Sequence, residues 1–187
     1  MKVQLFAEPW PHLEIENFFS HEEYIILNQY CNSRLGNLGQ ERTHKFILSY
    51  QNKDELVNDD LAIWNYCYNI AQYKFPTLCE NLLIDLIDYN FMVEFSCFNQ
   101  PCPRGIHVDM KTKYISCLVY MNSNGNGTNL YRAQDNSSHQ LIKTVDNQKN
   151  KALAFQSSGD YLHAVADNKP GDYRTAVNLI YLRKDLQ

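Results

Sequence analysis

No stretch of this 187-residue chain approaches the roughly 20 consecutive apolar residues that a membrane span requires. The opening residues, Met1-Lys2-Val3-Gln4-Leu5-Phe6-Ala7-Glu8-Pro9, also lack the apolar core of a signal peptide. A soluble, cytoplasmic protein with no membrane partner is therefore expected. Basic runs are missing too. With 17 Lys+Arg against 21 Asp+Glu the formal net charge is −4, and no basic stripe exists to hold a phosphate backbone, so nucleic acid is not an expected partner. Seven Gly and six Pro are too few for a low-complexity linker. None of the six cysteines, Cys31, Cys67, Cys79, Cys97, Cys102 and Cys117, forms a C-x-x-C pair. That removes the thiolate pattern of structural zinc. Without an export signal, unlinked thiols are expected rather than disulfides, the Cys97–Cys102 pair included.

What is present is an apolar fraction of 44%, 13% of the chain being aromatic, enough for one packed domain over residues 1–187. A helical N-terminal part of about 1–88 is expected. Ser20 and Glu23 are spaced as a capping box, with Phe19 and Tyr24 as the staple across it. That helix is expected to run to about Cys31 and stop before Gly36-Asn37 and Gly39. Leu61, Trp64, Cys67, Tyr68 and Ala71 recur at helical spacing, which places Trp64 and Tyr66/Tyr68 in packing. Pro76 is expected to open a further helical turn.

From Tyr89 the period changes. Short β-branched and aromatic runs at 90–98, 105–109, 114–122, 128–132, 140–146, 151–157, 161–165 and 173–183 read as eight strands. The gaps are too short for intervening helices. The fold class is therefore mostly β with a helical buttress, around a double-stranded β-helix (jelly roll, cupin-like) core at about 89–184.

Within that core stands Gly105-Ile106-His107-Val108-Asp109. On a strand, residues i and i+2 share a face, which sets the His107 imidazole beside the Asp109 carboxylate. His163 lies in a later strand and Arg174 begins the last one. Two histidines and one carboxylate on one side of a metal leave the opposite side open, the arrangement of non-haem iron(II) oxygenases. Each residue alone is unremarkable in this role; their conjunction and order carry the reading.

In these residues the sequence resembles the iron(II)/2-oxoglutarate-dependent oxygenases, on their prolyl-4-hydroxylase-like branch. Pro9 to Phe19 followed by the capped helix resembles the family's opening strand and helix. His107-Val108-Asp109 is similar to its H-x-D, His163 to its distal histidine and Arg174 to its basic residue. Gly127-Thr128 with Asn129-Leu130-Tyr131 resembles a turn into the next strand. The resemblance implies that His107, Asp109 and His163 are catalytic and hold Fe(2+). It implies that Arg174 binds the far carboxylate of the cosubstrate 2-oxoglutarate, with a hydroxyl donor from Tyr120. It further implies that O2 is consumed and an unactivated C–H of an amino acid, a peptide or protein, or another small-molecule metabolite is hydroxylated, with succinate and CO2 as co-products. Asp109 argues against halogenation. The sequence departs from the pattern at Ala176, where many members carry a hydroxyl residue, leaving Thr175 or Asn178 to supply a polar contact. Phe98 stands where some members have tyrosine.

Two other readings stay open: a non-catalytic jelly-roll binding module, and a cupin-type metalloenzyme independent of 2-oxoglutarate. His12, His21, His44 and His139 read as surface histidines. Arg104, Tyr131 and Arg132 read as residues near the mouth of the roll, either ordinary loop-edge positions or, as the resemblance implies, substrate contacts.

Overall fold

Strand alternation divides the molecule's side chains between two interiors. The computed structural model describes residues 1–35, 44–98, 105–135, 138–167 and 172–186. Among them the elements run β1 (Lys2–Phe6), β2 (His12–Glu16), α1 (His21–Leu35), β3 (His44–Ser49), α2 (Asn58–Leu82), β4 (Tyr89–Phe98), β5 (Lys113–Tyr120), β6 (Thr128–Ala133), β7 (His139–Val145), β8 (Ala152–Gln156), β9 (His163–Val165) and β10 (Arg174–Arg183). The strands form two antiparallel sheets, one of seven in the order β1-β2-β8-β5-β10-β4-β3 and one of three in the order β7-β6-β9. This is the expected jelly roll with helices against one sheet.

The two helices cover the outer face of the large sheet. Val93 and Phe95 of β4, Val177, Leu179 and Tyr181 of β10, and Cys117 and Val119 of β5 project there, fully buried. They meet a stripe on α2 that includes Trp64, Cys67, Ala71, Phe75 and Leu78. Trp64 stacks on Tyr68 at 5.1 Å and meets Phe91 edge-on at 6.1 Å, so the aromatic stripe is packing. Each fully buried large apolar side chain contributes about 1.5–3 kcal/mol, so this outer layer is the main source of stability. The inner face, toward the small sheet, holds a smaller apolar cluster of Trp10, Tyr120, Leu130, Val145, Leu153 and Phe155. The site lies on that side.

α1 begins with the expected capping box: the Ser20 amide donates to Glu23 Oε2 at 2.7 Å, and the Glu23 amide to Ser20 Oγ at 3.2 Å. Asn150 ties this entry to the roll. Its Oδ1 accepts from the Phe19 amide at 2.8 Å and its Nδ2 donates to the Phe19 carbonyl at 2.9 Å.

Several local expectations need correction. The helical N-terminal part also supplies three strands; β1 and β3 pair with β2 and β4 at the two edges of the large sheet. Pro76 does not open a new helix but lies inside α2. Its missing N–H removes one intrahelical bond, and burial of Phe75, Leu78, Cys79 and Leu82 around it keeps the helix on the sheet. Segment 105–109 is not a strand; it touches the sheet through a single bridge, His107 to His163. Gly105, at φ +61°, turns the chain just before it. Cys31, Cys67, Cys79, Cys97 and Cys117 are free thiols, and burial raises the pKa of each, that of Cys31 to about 12. Gly36, Asn37, Gly39, Cys102 and Arg104 lie outside the described residues. Among the described residues no helix is long and apolar enough to cross a membrane.

Candidate functional site

Between the two sheets lies a cavity of about 270 Å³, lined by side chains of β3, β4, β5, β6, β8, β9 and β10 and of segment 107–109. His107, Asp109 and His163 meet in its wall, each presenting a ligand atom within 4.8 Å of the others. The backbone sets this convergence. His107 and His163 form an antiparallel bridge with N···O distances of 3.0 and 2.9 Å, and their ring centroids lie 4.5 Å apart.

Both imidazoles are oriented by the same local device. Nδ1 of His107 lies 3.0 Å from the Gly105 carbonyl, and Nδ1 of His163 lies 3.0 Å from the Tyr161 carbonyl. A carbonyl only accepts, so each Nδ1 carries the proton and each Nε2 keeps its lone pair for a metal. His163 is buried against Phe155 and Trp10. Burial pushes its pKa down to about 4, against the opposing pull of Asp109, so the ring is neutral at physiological pH.

Asp109 is held by two residues that the sequence reading missed. Lys113 Nζ donates to Oδ1 at 2.6 Å and Ser116 Oγ to Oδ2 at 2.7 Å. Burial alone would raise this carboxyl's pKa; the charge of Lys113 and these two hydrogen bonds outweigh it, and the net shift is downward. Lys113 faces the cavity because the β5–β10 ladder slips a residue between Tyr181 and Leu182. Tyr114 and Ile115 both join the helix-side core there, and Lys113 and Ser116 both turn inward, as a β-bulge allows. A strict period of two does not reveal this.

Arg174 lines the same cavity and is 3% exposed. Its Nη1 donates to the Gly127 carbonyl and to Thr128 Oγ1, both at 3.1 Å, and its guanidinium lies over Phe98 at 5.2 Å. Gly127 permits that geometry, since a Cβ there would overlap the Val145 carbonyl. Tyr120 stands one layer back. Fully buried, it donates to Thr128 Oγ1 at 2.8 Å, and Thr128, not Tyr120, lines the cavity. Its pKa is raised by burial to about 12, so the phenol keeps its proton.

The alternatives around Ala176 separate cleanly. Thr175 points to the helix side, toward Cys97 Sγ at 3.9 Å, whereas Asn178 lines the cavity. Glu94 and Lys45, also unremarked in the sequence, join in an ion pair of 2.5 Å on the cavity wall. Tyr131 and Arg132 are not among the lining residues; Arg132 pairs with Glu8 on the surface. His12 corrects its surface assignment: it is completely buried, stacked on Phe6 at 5.2 Å, with burial lowering its pKa. It lies opposite Phe6 on β2, on the inward side of the strand. His21 and His139 are exposed as expected, and the side chain of His44 lies outside the described residues.

No protein-family model matches the sequence, and no curated protein sequence is significantly similar to it. Solved structures do match. A prolyl-4-hydroxylase from Pseudomonas putida superposes with a TM-score of 0.58 at 12% identity, covering 92% of this chain and 92% of that one. The viral collagen prolyl hydroxylase of Paramecium Bursaria Chlorella virus-1, in complex with 2-oxoglutarate, gives 0.57 at 14% identity, over 92% and 96% of the two chains. The fold is that of the iron(II)/2-oxoglutarate oxygenases, in its prolyl-4-hydroxylase-like form. Dioxygenase for auxin oxidation 1 from Arabidopsis thaliana, also a 2-oxoglutarate complex, gives 0.61 at 13% identity over 96% of this chain and 86% of that one.

The donor set suits this fold's metal. Two imidazoles and a carboxylate match the preference of Fe(II), and among the described residues no thiolate joins them to favour zinc. A metal held by these three residues from one side would keep its opposite positions open.

Proposed function

We propose that residues 1–187 work as one Fe(II)- and 2-oxoglutarate-dependent dioxygenase domain that hydroxylates an unactivated C–H. The observation that carries this reading is the meeting of His107, Asp109 and His163 in the cavity that also contains Arg174. Iron bound there would supply O2 activation, coupled to oxidative decarboxylation of the cosubstrate. The balance is R–H + O2 + 2-oxoglutarate → R–OH + succinate + CO2, in which one oxygen atom enters each organic product.

The chain's own groups have separable tasks. His107 and His163, with Nδ1 committed to backbone carbonyls, present Nε2 to the metal without rotating. Lys113 and Ser116 fix the Asp109 carboxylate. Arg174 takes the far carboxylate of 2-oxoglutarate through a charge-assisted pair. Thr128 offers a hydroxyl beside it, oriented by Tyr120 behind. Phe98, Leu118, Leu153 and Phe155 provide apolar walls that keep water from the reacting centre.

Support for a C–H-oxidising role comes from the neighbours' printed activities, on prolyl residues and in auxin oxidation. A further neighbour is a prolyl hydroxylase bound to a hypoxia-inducible-factor peptide. A small-molecule or peptide substrate follows by extension. The test is anaerobic titration with Fe(II) and then 2-oxoglutarate, followed by succinate release on admitting O2. Binding of 2-oxoglutarate that needs both the metal and Arg174 is the expected result. Oxygen uptake that continues without 2-oxoglutarate would refute the proposal.

A further inference from the structure

The cavity carries a second polar station on its β3–β4–β10 side. Lys45 and Glu94 form their 2.5 Å ion pair there, with side-chain exposures of 33% and 13%. Glu94 stands opposite Asn178 in the β4–β10 register, and Ser96 lies two residues along the same face of β4, opposite Lys45. All four line the cavity. Directly paired residues on neighbouring strands place their Cβ atoms about 5 Å apart, so these groups form one cluster.

Two of its members are unsatisfied. Ser96 Oγ and Asn178 Oδ1 are buried without a hydrogen-bond partner, in residues only 1% and 9% exposed. A buried acceptor left without a donor is unfavourable, and such a group in a cavity wall is a sign of a missing ligand. 2-Oxoglutarate is the wrong one. At neutral pH it offers only acceptors, and Glu94 would repel either carboxylate. The complement of Glu94, Asn178 Oδ1 and Ser96 Oγ is a cation with three N–H donors, which is a primary ammonium. The complement of Lys45, on the more exposed side of the pair, is an anion.

We infer that this station is the substrate-recognition subsite and that the substrate is a free α-amino acid. Its ammonium rests on Glu94, Ser96 and Asn178, and its carboxylate on Lys45. Its side chain runs over Leu118, Leu153 and Phe155 toward His107, Asp109 and His163, which favours an apolar one. The cavity, at about 270 Å³, lies just below the roughly 300–1,000 Å³ range of ligand pockets. That size suits a single amino acid better than a peptide segment. The inference rests on the dioxygenase reading, since it is that chemistry which would act on the side chain.

The test is calorimetric titration of protein loaded anaerobically with Mn(II) and 2-oxoglutarate, using each proteinogenic L-amino acid in turn. The tightest binder is then compared with its N-acetyl derivative, its methyl ester and a doubly capped peptide containing it. An amino acid with an apolar side chain is expected to bind best. Blocking either end is expected to weaken binding about tenfold or more, as loss of a charged hydrogen bond does. Glu94→Gln should weaken the free amino acid by a similar factor and leave the N-acetyl derivative unchanged; Lys45→Met should do the same with respect to the methyl ester. The blocked ligands test the wild-type protein, so the outcome does not depend on a variant's folding. Equal binding of the capped peptide, unchanged affinity in Glu94→Gln, or no amino-acid binding by protein that does take up Mn(II) and 2-oxoglutarate would each overturn this assignment alone. Failure to bind Mn(II) or 2-oxoglutarate would overturn the dioxygenase reading, and this inference with it.

Discussion

His107 and His163 exchange both of their backbone hydrogen bonds, at 3.0 and 2.9 Å, so the two imidazoles are placed side by side by main-chain atoms alone. Replacing either side chain leaves that clasp in place. His107→Ala is therefore expected to lose metal while keeping its thermal midpoint, because His107 is only half-buried. His163→Ala is expected to lose metal and about 1–3 kcal/mol of stability as well, since its ring packs on Phe155 and Trp10. Metal analysis after anaerobic reconstitution, beside thermal denaturation of the metal-free protein, checks both. Full metal occupancy in either variant would remove it from the ligand set.

Arg174→Ala should raise the Kd for 2-oxoglutarate by about 10-fold to 100-fold, in keeping with the loss of a charged hydrogen bond. Metal affinity should stay within a few-fold of the wild type. Thr128→Val is expected to have a smaller effect of the same kind. Tyr120→Phe should have the smallest, because its hydroxyl reaches the cavity only through Thr128. A larger loss in Tyr120→Phe than in Thr128→Val, measured by anaerobic titration, would reverse the order of contact.

Gly127→Ala is expected to be among the most damaging single-methyl changes in the protein. The added carbon has to displace the Val145 carbonyl, and Gly127 itself accepts from Arg174 and from the Ala166 amide. A loss of roughly 2 kcal/mol or more is expected, together with weakened 2-oxoglutarate binding and unchanged metal binding. A variant with wild-type stability and 2-oxoglutarate affinity would show that this backbone relaxes freely.

Glu14 carries the clearest acid-sensitive interaction away from the site. Burial raises its pKa, but hydrogen bonds and charge from Lys143 and Lys151 outweigh that and leave it below the usual carboxylate value. A folded pKa below the unfolded one gives stability that is fully present above the unfolded pKa and is lost as pH falls through the folded value. Glu14→Gln should remove about 1–3 kcal/mol at neutral pH and flatten the acid limb of the stability curve. Equal denaturation midpoints for the two proteins from neutral to acid pH would contradict this.

The sequence made the roll legible where its own periodicity is strong. Of the strands expected after Tyr89, all but one exist, with shifted ends. β1 and β3 were missed because they are short edge strands; β3 in particular pairs with β4 far along the chain, and nothing local distinguishes it from coil. The exception, 105–109, is instructive. His107 and Asp109 do converge, but through one bridge and a loop rather than through the alternation that suggested it. His163 and Arg174 were legible because strand position and order single them out. Lys113 and Ser116 were not, because a bulge defines their direction. Glu94 and Lys45 looked like ordinary strand charges, and only the pairing of β3, β4 and β10 turns them into one wall.

The large sheet separates two kinds of change that most proteins confound. Its helix-side face anchors the chain, while its concave face, with Ser96, Asn178, Glu94 and Lys45, contributes comparatively little to holding it together. Exchanges on the concave face can change what the cavity accepts without passing through an unfolded ancestor. Backbones that still superpose at 12–17% identity are what that freedom would leave behind.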